Sequence, residues 1–153
     1  RGVDLNRQFQ ADWHKAYLNG PKLPAPKYFA GESPESEPES RAVAQFTRKL
    51  IPEMVIAYHS QGEVIYWNYK KKAPPTARRI ARELSRLSGY TLIGSNPQEA
   101  GSGGFKDWFI DHYQRPGFTI EIGRGINPLP LQQFDRIWRQ NAPLLAHLGT
   151  FFR

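Results

Sequence analysis

The sequence predicts an α/β layered domain, and three observations carry that prediction. Short apolar runs at residues 53–59, 64–67, 91–93 and 118–122 suit buried strands. Stretches with apolar residues at helical spacing separate them, which points to helices layered on a sheet. Hydrophobic residues make up 39% of the 153 residues and aromatics 13%, spread along the chain, so one domain with a real core is expected and disorder is not.

Residues 18–38 are rich in Pro, Gly, Lys and Ser and read as a long irregular loop. Ser36-Glu37-Pro38-Glu39 then resembles a helix start, with Ser36 as N-cap and Glu39 closing a capping box. Val43, Phe46 and Leu50 supply the apolar face of that helix, and Pro52 ends it. The run ending at His59 is a strand, and the Gln61-Gly62 turn leads into Val64-Ile65-Tyr66-Trp67 as the next. Thr76 is expected to cap a second helix, with Ile80, Leu84 and Leu87 on one face and Gly89 as terminator. Thr91-Leu92-Ile93 is a third strand. Residues 101–104 lead into a short helix through Trp108 and Tyr113, the strand at 118–122 follows, and Leu131 begins a terminal helix interrupted near Pro143. No internal repeat occurs.

The net charge of +7 favours anionic partners, whether nucleic acid, cell-wall polymer or acidic peptide. Lys70-Lys71-Lys72 is the densest basic run, and a Pro-flanked loop is its simplest reading, so no nucleic acid is expected as partner. The lack of cysteine excludes disulfides and thiolate zinc sites, leaving His and carboxylates as metal ligands. No apolar run approaches the ~18 residues of a membrane span.

Four stations carry chemistry. In Gly2-Val3-Asp4-Leu5-Asn6-Arg7-Gln8-Phe9, the Asn6 amide and Arg7 guanidinium offer donors suited to a carboxylate. His59 ends a strand and can ligate zinc, or can equally be a hydrogen-bonded strand-end imidazole. Gly101-Ser102-Gly103-Gly104 permits close backbone approach, with Lys106 and Asp107 before a ring-burying Trp108; alone, Lys106 reads as solvated. Glu121 alternates away from Ile120 and Ile122. A carboxylate in so apolar a strand is costly unless it is paired with an arginine or used as a general base.

In this order and spacing the four stations resemble the second half of the catalytic domain of the zinc carboxypeptidase family, from about residue 2 to the end. The resemblance implies the C-terminal half of a mixed-sheet α/β/α domain with Zn2+ as cofactor. It makes Asn6 and Arg7 the pair holding the substrate's terminal carboxylate, with Ser102 and Gly103 beside it in the substrate site. It makes His59 the third zinc ligand and Glu121 the catalytic base and proton shuttle. Glu99 stands where the animal digestive members carry a substrate-contacting tyrosine. Lys106 falls at the position that sets side-chain specificity, where a lysine should favour a substrate with a second carboxylate. Gly-Phe-Lys-Asp-Trp, Asn-Pro-Leu-Pro-Leu and Ser-Glu-Pro-Glu resemble the bacterial γ-D-glutamyl-diaminopimelate peptidases of this family, which cut peptidoglycan stem peptides; this implies a bacterial protein of the cell envelope or a secreted one rather than a cytoplasmic one.

The family's His-x-x-Glu pair and the arginine that polarises the scissile carbonyl precede the Asn-Arg segment, and no His-x-x-Glu occurs in these residues. Residues 1–153 are thus expected to be a partial catalytic domain, inert without the missing N-terminal half. His14, His112 and His147 are assigned to surface or packing. Three further readings are a non-catalytic module binding cell-wall peptide through Asn6, Arg7 and Lys106, a general metallocarboxypeptidase preferring acidic substrates, and, last, a nucleic-acid-binding domain.

Overall fold

A computed structural model describes residues 1–94 and 103–151. In chain order it contains α1 (Trp13–Asn19), α2 (Pro38–Leu50), β1 (Val55–His59), β2 (Val64–Tyr66), α3 (Pro75–Ser88), β3 (Thr91–Ile93), α4 (Phe105–Tyr113), β4 (Gly117–Glu121) and α5 (Phe134–His147), with a 3-10 turn at Leu5–Arg7. The four strands form one mixed sheet in the order β1-β4-β2-β3. β1 runs parallel to β4, β2 runs parallel to β3, and β2 meets β4 antiparallel.

Two apolar clusters flank the sheet, as strand alternation requires. Phe118 and Ile120 of β4 pack with Ile65, Ile80, Leu84 and Leu144, which places α3 and α5 on one face. Val55 of β1 packs with Phe9, Ala44, Trp108 and Phe109, which places α4 and α2 on the other. The sheet is therefore covered on both sides, and β4, nearly all buried, runs through its middle. Trp108 is buried, as its place in the sequence predicts.

Several expectations change. α2 starts at Pro38 after Glu37, and Ser36 caps nothing: its hydroxyl bonds the Gln8 side chain (3.0 Å). Gln8 is fully buried, and its Oε1 also accepts from the Glu37 N–H (3.1 Å) and the Ser40 hydroxyl (3.2 Å). A remote glutamine thus does the work the capping box was expected to do. The buried face of α2 is Ser40, Ala44 and Thr47, whereas Val43, Phe46 and Leu50 are exposed, Phe46 at 63%. Small residues let the helix approach its neighbours closely, so the large apolar row points away.

α3 starts at Pro75 rather than after Thr76, and Gly89 ends it in the left-handed conformation (φ 75°). α5 runs through Pro143 without a break, held to the core by fully buried Leu144. Helix α1, unforeseen in the sequence, begins behind Asp12 at the edge of the long irregular stretch.

Candidate active site

The register between β1 and β4 builds the centre of the site. His59 and Glu121 are direct partners at the C-terminal ends of two parallel strands. Adjacent strands lie about 4.8 Å apart, and alternation sends both side chains to the face shared by Val55, opposite Ile120. Glu121 closes its strand rather than sitting in mid-strand, which brings its carboxylate to the sheet edge where open α/β sheets bind ligands. Burial pushes the Glu121 carboxyl above its ordinary value, and no ion pair to an arginine offsets this among the described residues. Burial also holds the His59 imidazole below its ordinary value. Arg7 pushes it the same way, and Asp4 opposes both. A neutral imidazole and a carboxyl that takes up protons readily therefore stand side by side.

Asn6 and Arg7 occupy the 3-10 turn on the same face. Asp4 pins it: one carboxylate oxygen accepts from the Asn6 N–H and the other from the Tyr28 N–H, both at 3.1 Å. The sequence reading missed this anchor, although an aspartate two residues before Asn6 is the signal of such a turn. The Asn6 side-chain oxygen accepts from the Phe105 N–H (3.0 Å), and its NH2 group has no partner among the described residues, so it can donate to a ligand. Arg7 donates to the Asn6 carbonyl (2.9 Å) and lies over the Tyr28 ring at 5.4 Å.

Gly103 locks this turn to the start of α4. Its N–H donates to the Ala11 carbonyl (2.6 Å) and its carbonyl accepts from the Phe9 N–H (2.9 Å). Its φ of +75° suits glycine, and a side chain there would meet the Arg7 backbone. Ser102 and Glu99 lie outside the described residues.

Lys106 is not solvated. It is buried at 8% exposure, donating to the Asn68 carbonyl (2.8 Å) and paired with Asp107. Burial raises the Asp107 carboxyl, and Lys106 and Arg7 partly counter that. Asn68, another residue the sequence did not single out, holds its own loop through side-chain bonds from the Tyr69 and Ala73 N–H groups. Two of the three lysines at 70–72 are neutralised, Lys70 by Asp12 (2.5 Å) and Lys72 by Asp111. His14 and His112 lie on the surface against Tyr17 and Trp108, and His147 stands 3.7 Å from Glu83.

Zinc needs about three protein ligands, and no group of three His, Cys, Asp or Glu gathers among the described residues. His59 fits as one ligand, since burial keeps it in the neutral form that coordinates.

The zinc carboxypeptidase family profile matches residues 1–144. This chain belongs to the zinc carboxypeptidase family. It is 45% identical over 139 residues, 91% of its length, to gamma-D-glutamyl-L-diamino acid endopeptidase 1 of Lysinibacillus sphaericus, of which it spans 34%. The chain covers about a third of the length of the curated relatives it matches. The fold matches thrombin-activatable fibrinolysis inhibitor with a TM-score of 0.76 at 24% identity, covering 97% of this chain and 41% of that one. It also matches murein-tripeptide amidase from Escherichia coli O157, with a TM-score of 0.64 at 21% identity over 94% of this chain and 57% of that one. No helix among the described residues is long and apolar enough to cross a membrane.

Proposed function

We propose that this zinc carboxypeptidase chain is the later part of the catalytic domain of a bacterial cell-envelope peptidase. The complete domain would hydrolyse the γ-D-glutamyl–diaminopimelate bond of peptidoglycan stem peptides. The observation that carries the reading is the direct pairing of His59 with Glu121, on the sheet face where Asn6 and Arg7 keep side-chain donors unused among the described residues. The name of the Lysinibacillus relative supports the bond chosen.

His59 would be one zinc ligand, with the remaining ligands on a preceding N-terminal half that these residues do not include. Bound zinc supplies Lewis acidity, polarising the scissile carbonyl and acidifying a water. Glu121 accepts the proton of the attacking water and returns it to the departing amine nitrogen. Its raised pKa suits a group that must both take and give a proton. The Asn6 amide and Arg7 guanidinium hold the substrate's terminal carboxylate and so fix which bond meets Glu121. Gly103 keeps that turn in place.

Lys106 is proposed to meet the second carboxylate of diaminopimelate. An ammonium has three donors; Asn68 and Asp107 occupy two, which leaves one for substrate.

The test uses the complete enzyme. Glu121→Gln should lower kcat by about 10²–10⁴ with zinc content unchanged; near-normal turnover would remove Glu121 as the base. Lys106→Ala should lose more activity on γ-D-Glu-diaminopimelate than on a γ-D-Glu-Lys analogue. Equal losses on both would sink the two-carboxylate reading and favour a general carboxypeptidase.

A further inference from the structure

Helix α3 carries a row of cations that the proposed reaction does not use. Arg78, Arg79, Arg82 and Arg86 are all exposed, on the side away from buried Ile80 and Leu84. Arg78, Arg82 and Arg86 recur at every fourth position and so line one face, with Arg79 one turn from Arg82. Successive members of the row are separated by a rise of about 6 Å along the helix. They border a cavity of ≈ 490 Å³ together with Glu83, His147 and Phe151.

Most other basic side chains in the fold meet a carboxylate. Asp12 takes Lys15 and Lys70, Glu35 takes Arg48, and buried Glu63 takes Arg124 and Arg136. On α3 the acid within the cavity is already engaged. Glu83 accepts two hydrogen bonds from Arg86, at 2.9 and 2.6 Å, and lies 3.7 Å from His147. The side chains of Arg78, Arg79 and Arg82 make no ion pair or hydrogen bond among the described residues. Like charges one turn apart destabilise a helix, so three uncompensated guanidinium groups present a row that an anion would relieve.

We propose that this row is a docking site for a linear phosphodiester polyanion of the cell-wall-polymer kind, with a phosphate in each repeat. The guanidinium fork matches phosphate oxygens bidentately, and a flexible polymer can place successive phosphates on successive turns of the helix. A single-stranded nucleic acid fits less well, because such sites set several aromatic platforms along the groove for successive bases. Among the described residues lining the cavity Phe151 is the single Phe, Tyr or Trp, and it is already in T-shaped contact with His147, centroids 5.2 Å apart. α3 lies on the sheet face opposite His59 and Glu121, so a docked polymer leaves that site open. The choice of a cell-wall polymer rests on the proposed cell-envelope function, while the row of arginines is independent of the residues assigned to the active site.

The test measures binding of the full-length protein containing this chain to fluorescent poly(glycerol phosphate), across a salt series. Arg78→Ala/Arg79→Ala/Arg82→Ala should weaken binding at least about tenfold at physiological salt and flatten the log K–log salt slope by about two. Alanine is the best helix former, so α3 is kept in this variant. Lys27→Ala/Lys49→Ala/Lys71→Ala removes equal charge from exposed residues on other segments and should change affinity less than about twofold. Equal losses in the two triple variants, or no loss in the arginine variant, would overturn the site. Polyglutamate binding as tightly would overturn phosphate as the ligand. Polyuridylate binding more tightly would overturn the cell-wall source in favour of nucleic acid.

Discussion

Gly103 and Gly89 share a φ of +75°, yet an added methyl group meets opposite surroundings at the two positions. At Gly89 nothing lies within 4 Å of the new carbon. Gly89→Ala therefore carries only the left-handed backbone cost, about 1–2 kcal/mol. At Gly103 the new carbon stands 2.6 Å from the Arg7 carbonyl carbon and 2.9 Å from its Cα, and closer still to the carbonyl oxygen. Those are backbone atoms, so no side-chain rotation relieves the clash. Overpacking adds about 1–3 kcal/mol to the backbone cost, for a total of about 2–5 kcal/mol. The relief available is to push the Asn6–Arg7 turn away from α4, which also breaks the two hydrogen bonds that Gly103 makes to Phe9 and Ala11. Urea unfolding of the complete enzyme reads the stability, and steady-state kinetics on a peptide with a free terminal carboxylate reads the site. Gly103→Ala should be less stable than Gly89→Ala and should raise KM, while Gly89→Ala leaves KM unchanged. Equal destabilisation by the two, with unaltered KM in both, would refute the argument that Gly103 sets the position of Arg7.

Gln8→Ala should cost on the order of 2–4 kcal/mol, because it strands the buried Glu37 N–H and takes a donor from the Ala30 and Ser33 carbonyls. A urea midpoint within experimental error of the parent would show that water replaces the glutamine. His59 should make the metal-stripped protein acid-sensitive. Its folded-state pKa lies below the ordinary 6.5, chiefly through burial. As pH falls past 6.5 the unfolded chain therefore binds more protons than the folded one, and stability declines; above that pH its contribution is intact. The fall in urea midpoint between about pH 7.5 and about pH 5.5 should shrink in His59→Gln. An unchanged fall in that variant would assign the acid sensitivity to other groups.

What the sequence makes legible follows from the range of the interactions involved. Strands at Val55–His59 and Thr91–Ile93 and the helix closed by Gly89 are written in local apolar patterns and turn chemistry, and they appear where expected. His59 and Glu121 stood out because a polar group at the end of an apolar strand is costly without a use. Their direct pairing was not legible, since strand order is decided by contacts between distant segments. For α2 the periodicity announced an amphipathic helix but misassigned its inner face, because close approach through Ala44 outweighed burial of Phe46. Lys106 was read as solvated because nothing next to it in sequence reveals that Asn68 supplies a carbonyl from another loop. The Ser36 cap failed for the same reason, displaced by a glutamine far earlier in the chain.

The position of β1 in the sheet also bears on how the protein is made. Among the described residues its sheet neighbour is β4, which follows about sixty residues later, and closing so long a loop is entropically slow. During synthesis the edge of the strand ending at His59 that β4 takes therefore waits unmatched until the segment ending at Glu121 has emerged. The pairing that aligns these two residues is then a late event in folding, and the interval before it is when the nascent chain is most exposed to wrong strand partners. Slowing translation between the two strands should lengthen that interval.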